Sequence, residues 1–233
     1  MTLKRLRVWD GPTRVFHWML ALLVLGAFLT GLWGGNWMLL HERAGLTILG
    51  LLGFRLVWGF VGSSYARFAE FAPTPGRLLA YVRGHWHGLG HNPLGALSVF
   101  ALLGILVFQT LTGLFSNDDI AFEGPLFSLV SKGLSDSLSS LHRGAIWWIG
   151  GLIMLHIAAA LFYTLARRQN IIRPMLTGVK QVELEDDSDW VRPAQGGGWL
   201  ALLLALVVAV ALVWIAAGGL LAPPPPPSPP PAW

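Results

Sequence analysis

Residues 141–163 read LHRGAIWWIGGLIMLHIAAALFY, an apolar stretch that is long enough to cross a membrane and carries two histidines, His142 and His156. Fourteen residues make close to four turns of an α-helix, so both side chains leave nearly the same face, about 21 Å apart along the axis. That separation is too long for one shared metal ion, but it suits two stacked cofactors at different membrane depths. Because ionisable residues inside a span are costly and usually face a bundle interior or a bound group, this pair predicts a buried binding site.

The composition places the chain among membrane proteins. Of its 233 residues, 54% are hydrophobic and only 12% are charged. The chain has no cysteine, which excludes disulfides, iron–sulfur clusters and haem attached covalently through a C-x-x-C-H motif. The net charge of +4 does not indicate nucleic-acid binding, because the basic residues lie in loops between apolar spans.

Five apolar stretches approach the roughly 20 residues that a transmembrane helix needs. They cover residues 15–33, 41–61, 94–115, 141–165 and 199–220. The basic start of the chain resembles a signal peptide, but the first apolar run is long and lacks an A-x-A cleavage site, so we expect a retained helix. The predicted fold is an all-α integral membrane protein: a four-helix transmembrane bundle that holds the cofactors, plus a fifth C-terminal transmembrane helix.

The distribution of charge predicts the orientation in the membrane. Basic residues cluster before the first span, between the second and third spans, and after the fourth span. The loop 116–140 instead holds four carboxylates against Lys132 alone. Because positive loops stay in the cytoplasm, we expect a cytoplasmic N-terminus, an acidic loop outside and, after five spans, a periplasmic C-terminus.

The composition also divides the chain into four parts. Residues 1–180 form the predicted four-helix core, and 199–221 form a fifth helix appended to it. Between them, 181–198 is acidic and glycine-rich and is predicted to be a flexible cytoplasmic linker. The proline-rich tail, 222–233, cannot form a helix and is predicted to be an extended polyproline II arm, either solvated or in contact with a partner.

The predicted orientation assigns a membrane depth to each of four histidines. His41 and His142 open spans that start outside and form an outer pair; His17, near the cytoplasmic end of the first span, and His156, deep in the fourth, form an inner pair. Each pair brings two imidazoles from different helices, as the two faces of a haem iron require, and such ligation favours electron transfer over oxygen binding. Taken singly, each histidine is equally well an interfacial or packing residue, and a transporter that uses them as proton relays is a further interpretation.

Arginines and glycines near these histidines are candidates for holding a haem. The anionic propionates favour arginine, and the candidates are Arg14, Arg43, Arg55 and Arg143. Arg55 lies inside the second span, where it either meets an anionic partner or snorkels to the interface. Glycines in the second and fourth spans either let a flat macrocycle approach the backbone or serve ordinary helix packing. They are Gly45, Gly50, Gly53, Gly144, Gly150 and Gly151.

Other polar residues carry weaker signals. His85, His87 and His91 follow the second span, with no carboxylate or cysteine close by to complete a metal site. We expect them in a solvated cytoplasmic loop, with proton handling near a quinone as the lesser alternative. Gln109 and Thr110 inside the third span are predicted to bond between helices rather than to contact a quinone.

Several segments carry a family resemblance. They are VWDGPTRVFHWMLALLVLGAFLTG, HERAGLTILGLLGFRLVWGF, HNPLGALSVFALLGILVFQTLTGLF and LHRGAIWWIGGLIMLHIAAALFY, followed by RPMLTGVK. Residues 8–180 are similar to the prokaryotic cytochrome b561 family, which includes the b-type cytochrome subunit of nickel–iron hydrogenases and related quinone-linked dihaem cytochromes. The resemblance implies two non-covalent haem b groups, with His17, His41, His142 and His156 as the axial ligands.

The resemblance also implies a function and a location. It indicates an electron-transfer subunit in the lipid of the bacterial inner membrane, between the quinone pool (ubiquinone or menaquinone) and a periplasmic redox protein such as a c-type cytochrome or a hydrogenase. It implies no nucleic-acid partner and leaves an oligomer open. The alternative is a superoxide:ubiquinone oxidoreductase, which would need a positive surface to collect the superoxide anion, whereas the outer loop is acidic.

Overall fold

The computed structural model describes residues 2–86, 88–184 and 193–221. Its helices are α1 (Gly11–Trp33), α2 (Met38–Val61), α3 (Phe68–Phe71), α4 (Pro75–Val82), α5 (Pro93–Leu114), α6 (Lys132–Leu165), α7 (Ile172–Thr177) and α8 (Trp199–Ala216). Five of them, α1, α2, α5, α6 and α8, are long and apolar enough to cross a membrane. Apart from one small sheet, the chain is an all-α integral membrane protein, which confirms the predicted fold class.

Side-chain caps explain where three of the spans begin. Asp10, Asn92 and Ser131 precede α1, α5 and α6, and the side-chain oxygen of each accepts a hydrogen bond from the backbone N–H three residues later. The cap at Ser131 starts α6 at Lys132, nine residues before the predicted start at 141. The last part of the predicted outer loop is therefore helical.

The spans pack as two helical hairpins and one further helix. Helix α1 packs on α2, and α5 packs on α6, while a smaller contact joins α2 to α5. Helix α6 is not packed extensively against α1 or α2. The buried side chains between the hairpins form a core with Ile48, Leu52, Leu106 and Ile149. Most large apolar side chains elsewhere on the spans are exposed on the protein surface, where lipid would contact them.

The fifth helix packs directly on the four-helix bundle. Its packing against α2 is the most extensive between any two helices in the described residues. A Cβ atom added to Gly50 would lie 2.7 Å from Val213 of α8, and one added to Gly53 would lie 2.3 Å from Leu212. These two glycines therefore serve helix packing, because only a bare backbone lets α8 approach so closely.

A two-stranded sheet joins the N-terminus to the segment after α7. Strand β1 (Thr2–Arg7) pairs antiparallel with β2 (Val179–Leu184). Both strands therefore lie at the same end of the bundle, as four intervening spans require. Residues 181–184 belong to β2, so the predicted flexible linker was wrong at its start, because β1 satisfies the backbone groups of this segment.

The end of the predicted linker is also bound. The N–H of Ala194 donates to the carbonyl of Arg7 at 2.8 Å, and the N–H of Ser64 donates to the carbonyl of Gln195 at 2.8 Å. The middle of the predicted linker, 185–192, lies outside the described residues, as does the proline-rich tail, 222–233.

At the opposite end of the bundle, the loop between α5 and α6 is held by polar contacts. Asn117 donates from its side-chain nitrogen to the Ser135 hydroxyl at 2.6 Å. The ammonium of Lys132 pairs with the carboxylates of Asp119 and Asp136. Three backbone N–H groups donate to the carboxylate of Asp118 and lower its pKa. These contacts tie the start of α6 to the end of α5.

Candidate functional site

The outer pair lies between the two hairpins. The ring centres of His41, on α2, and His142, on α6, are 5.9 Å apart. Nδ1 of His41 lies 2.8 Å from the carbonyl oxygen of Ala27, and Nδ1 of His142 lies 2.9 Å from that of Gln109. Because a carbonyl only accepts hydrogen bonds, Nδ1 carries the hydrogen in both rings. Nε2 is then the nitrogen with a lone pair for a metal.

The inner pair is built from α1 and α6. The ring centres of His17 and His156 are 6.4 Å apart. Nδ1 of His156 lies 3.3 Å from the hydroxyl of Ser98 on α5, whereas Nδ1 of His17 is buried without a hydrogen-bond partner. The structure thus brings together the same two pairs that the sequence predicted.

Both pairs have the spacing that one iron between two imidazoles requires. A metal–imidazole bond is about 2 Å and the ring centre lies about 1 Å further, so two such rings have centres roughly 6 Å apart. The observed 5.9 and 6.4 Å agree with this value. In each pair the rings come from helices that are not packed extensively on each other, as a flat group between them needs. The residues present therefore fit two haems.

Comparison with known proteins identifies the family. The prokaryotic cytochrome b561 family matches residues 8–178 of the chain. The chain belongs to this family. Membership confirms the resemblance seen in the sequence and implies a b-type haem and electron transfer in a membrane.

Curated relatives of this chain are described as hydrogenase cytochrome subunits. The chain is 25% identical over 212 residues to a probable Ni/Fe-hydrogenase 1 B-type cytochrome subunit of Escherichia coli K12, covering 74% of this chain and 89% of the relative. It is 28% identical over 210 residues to a probable Ni/Fe-hydrogenase B-type cytochrome subunit of Azotobacter chroococcum, covering 73% and 86%. The corresponding protein of Rhizobium leguminosarum is 26% identical over 218 residues, covering 77% and 90%. No solved structure matches the chain significantly.

Gln109 links α5 to the outer pair of the cytochrome. Its side-chain nitrogen lies 3.1 Å from the carbonyl oxygen of His142 and 3.2 Å from Nε2 of the same residue. The amide must turn away from Nε2 before that nitrogen can bind a metal. Gln109 thus bonds between helices as predicted. Thr110 does not, because its hydroxyl donates to the carbonyls of Leu106 and Val107 in its own helix.

Arg55 is the buried cation of the bundle. Its side chain is only 4% exposed, so it does not snorkel to the surface. The guanidinium carbon lies 4.7 Å from the ring centre of Phe68, and Nη1 is buried without a hydrogen-bond partner. Among the described residues the ion pairs within 4.0 Å involve Lys132 alone, and Asp10 acts on Arg55 at longer range. A buried cation without a close counter-ion suits an anionic ligand.

The other three candidate arginines lie elsewhere. Arg14 donates from Nη1 to the carbonyl of Leu176 at 2.5 Å, so it holds the segment after α6. Arg43 and Arg143 are exposed on the surface beside the outer pair. The structure does not bring these three together in a buried anion site.

His91 is packed rather than solvated, which corrects the sequence prediction. Its ring lies 4.7 Å from that of Trp9 and 4.6 Å from that of Phe71, and its Nδ1 is buried without a partner. Burial, together with the nearby positive charge of Arg55, lowers the pKa of His91 to about 3. His85 is exposed as predicted, and the prediction for His87 falls outside the described residues.

A cavity of 400 Å³ adjoins His91. Its polar lining comes from Tyr65, Glu70, Arg77, His85 and His91. His91 contacts Trp9, which lies just before the start of α1, so the cavity lies at the end of the bundle where α1 begins and carries His17.

The sequence did not single out the two glycines that contact the outer imidazoles. A Cβ atom added to Gly31 of α1 would lie 2.9 Å from Cε1 of His41, and one added to Gly113 of α5 would lie 2.9 Å from Cε1 of His142. The sequence signal that could have identified them is a glycine at the same predicted membrane depth as a histidine on the neighbouring helix. The glycines singled out on α6, and Gly45 on α2, would place a Cβ with nothing within 4 Å.

Proposed function

We propose that this cytochrome binds two haem b groups and transfers electrons between the quinone pool and a periplasmic redox protein. One haem iron would be held by the outer pair and the other by the inner pair. The observation that carries the proposal is the ring-centre separation of 5.9 and 6.4 Å in two pairs that bridge the hairpins. When bound, haem supplies an iron centre that accepts and releases one electron, without an open position for oxygen when both axial ligands are histidines.

The chain contributes ligation, orientation and charge. Helix α6 carries one ligand of each pair, so His142 and His156 set the two sites about 21 Å apart along its axis. The hydrogen bonds at Nδ1 of the outer rings fix their orientation. Arg55 is buried with no carboxylate of the described residues within 4.0 Å, which supports a role in binding a haem propionate.

The relatives and the charge distribution support a partner at the outer end. The relatives are described as subunits of Ni/Fe hydrogenases, so we propose a hydrogenase-like protein, with a c-type cytochrome as the alternative. The loop between α5 and α6 is acidic, because it holds four carboxylates against Lys132 alone. It would steer a basic partner toward the outer pair, and salt would weaken this attraction. An acidic loop repels superoxide and does not favour superoxide oxidation.

We place the quinone, ubiquinone or menaquinone, at the inner end. The 400 Å³ cavity beside His91 lies at this end and has a mixed polar and apolar lining, as ligand sites commonly do. The arginine-rich loops at the same end support a bacterial inner-membrane location with a cytoplasmic N-terminus and a periplasmic C-terminus.

The test is a haem count on the purified protein followed by electron transfer in liposomes. We expect two haems per chain by the pyridine assay, reduced b-type absorption bands, and haem reduction when a quinol is added to the membrane. Liposomes that contain the protein but receive no quinol are the control. A chain without haem, or with one haem, would refute the dihaem proposal. Rapid reduction of the haem by added superoxide would favour the oxidoreductase alternative.

A further inference from the structure

The two outer imidazoles are held in the same way on the two hairpins. His41 of α2 lies over Gly31 of α1 and donates from Nδ1 to the carbonyl of the residue four positions earlier, Ala27. His142 of α6 lies over Gly113 of α5 and donates to the carbonyl four positions earlier, that of Gln109. In both cases, the neighbouring helix supplies a bare backbone position and the carbonyl one turn before it.

Elementary geometry explains why the position must be glycine. The carbonyl of residue i−4 in a helix accepts the N–H of residue i, and its oxygen has a second lone pair that another donor can use. A side chain at residue i would stand between that lone pair and a donor from a neighbouring helix. At Gly31 a Cβ would lie 3.0 Å from Nδ1 of His41, and at Gly113 it would lie 3.2 Å from Nδ1 of His142. The ring can reach the carbonyl only over glycine.

The inner pair has no such arrangement. Nδ1 of His17 is buried without a partner, and Nδ1 of His156 has only the Ser98 hydroxyl at 3.3 Å. A histidine that donates its second N–H to a carbonyl is a stronger electron donor to a metal, and hydrogen bonding around a ligand is one of the levers that set a haem potential. Stronger donation stabilises the oxidised iron and lowers the reduction potential.

We propose that Gly31 and Gly113 are positioning residues that seat the rings of His41 and His142 on main-chain carbonyls and so make the outer haem the lower-potential centre of the two. The inference rests on the proposed binding of two haems. If two haems bind as proposed, this difference in potential would favour electron transfer from the outer to the inner haem.

The test compares variants of Gly31 and Gly113 with matched controls on the same helices. Gly31→Ala and Gly113→Ala each add one methyl group against an imidazole. Gly26→Ala on α1 and Gly104→Ala on α5 add the same group where nothing lies within 4 Å. The four proteins are compared by haem count, redox titration and the electron paramagnetic resonance signals of the low-spin haems.

We expect two haems in the controls, with both potentials unchanged. In both Gly31→Ala and Gly113→Ala, the haem of lower potential should shift to a higher potential and change its low-spin signal. The other haem should stay as in the unmodified protein. Repeating the titration with His156→Ala, which should leave only the outer haem, assigns the shifted centre. Loss of the outer haem alone in Gly31→Ala or Gly113→Ala supports the proposal as well.

Two results would overturn the inference while leaving two-haem binding intact. One is a Gly31→Ala or Gly113→Ala protein in which both potentials and both spectra are unchanged. The other is a shift confined to the haem that His156→Ala removes. Unmodified protein that binds no haem would instead overturn the proposed function. If Gly31→Ala does not insert into the membrane, Gly113→Ala tests the same arrangement on the other hairpin.

Discussion

The two-pair arrangement predicts how haem is lost when ligands are removed in combination. Within each pair the ring centres are 5.9 and 6.4 Å apart, whereas His142 and His156 are separated by about 21 Å along α6. If each pair holds one haem as proposed, either histidine of a pair is needed for the same haem and lies far from the other haem. Single changes to Ala should each halve the haem content. The double change His41→Ala with His142→Ala should also leave one haem per chain, whereas His41→Ala with His17→Ala should leave none.

The assay is the pyridine haem count per chain, with the absorption spectrum reporting any haem that stays bound in high-spin form. His85→Ala is the control, because this histidine is exposed, and it should retain two haems. Circular dichroism and size-exclusion chromatography show whether each variant keeps its helices and remains dispersed. The reasoning is refuted if His41→Ala with His17→Ala keeps one haem, or if the double change within the outer pair removes both.

Three further predictions concern stability, measured as melting temperature in detergent. Asp10→Ala should lower the melting temperature. Loss of the helix cap should cost about 1 kcal/mol, and the buried Nε1 of Trp58, left without its acceptor, should cost about 1–3 kcal/mol more. An unchanged melting temperature contradicts this. Gly53→Leu should displace α8 and lower the melting temperature, because even a Cβ would lie 2.3 Å from the side chain of Leu212. Gly144→Leu faces open space and should leave the melting temperature unchanged. Because burial lowers the pKa of His91 from 6.5 to about 3, the unfolded state binds more protons between these values, so stability should fall by about 2 kcal/mol from neutral pH to pH 5. His91→Phe should flatten that loss, and equal acid sensitivity in both proteins would contradict the assignment.

The spans and the histidine pairs could be predicted because they depend on regular geometry. Hydrophobic length identifies a span, and the rise of a helix converts the sequence position of His142 or His156 into a depth. Alternating orientation then places His41 and His17 at matching depths. None of these steps needs to know which helices are neighbours. The structure brings the same residues together for that reason.

Contacts that depend on neighbours could not be predicted in the same way. Gly50 and Gly53 were assigned equally to a macrocycle and to helix packing, because the sequence does not say that α8 docks on them. The sequence indicates only a loop position for His91, because its contacts with Trp9 and Phe71 form only when the chain folds. The strand pairing of residues 181–184 was missed because its partner β1 lies at the other end of the sequence.

The positions of the two histidine pairs are linked, because one helix, α6, carries one histidine of each pair. A displacement of α6 along its axis by one turn, about 5 Å, would separate His142 from His41 and His156 from His17 together. The axial position of α6 must therefore be fixed at its ends. Asn117 bonds to the first turn of α6 through Ser135, and its backbone N–H donates to the Ser139 hydroxyl one turn later at 2.9 Å. The loop between α5 and α6 thus also holds the helix that carries one histidine of each pair.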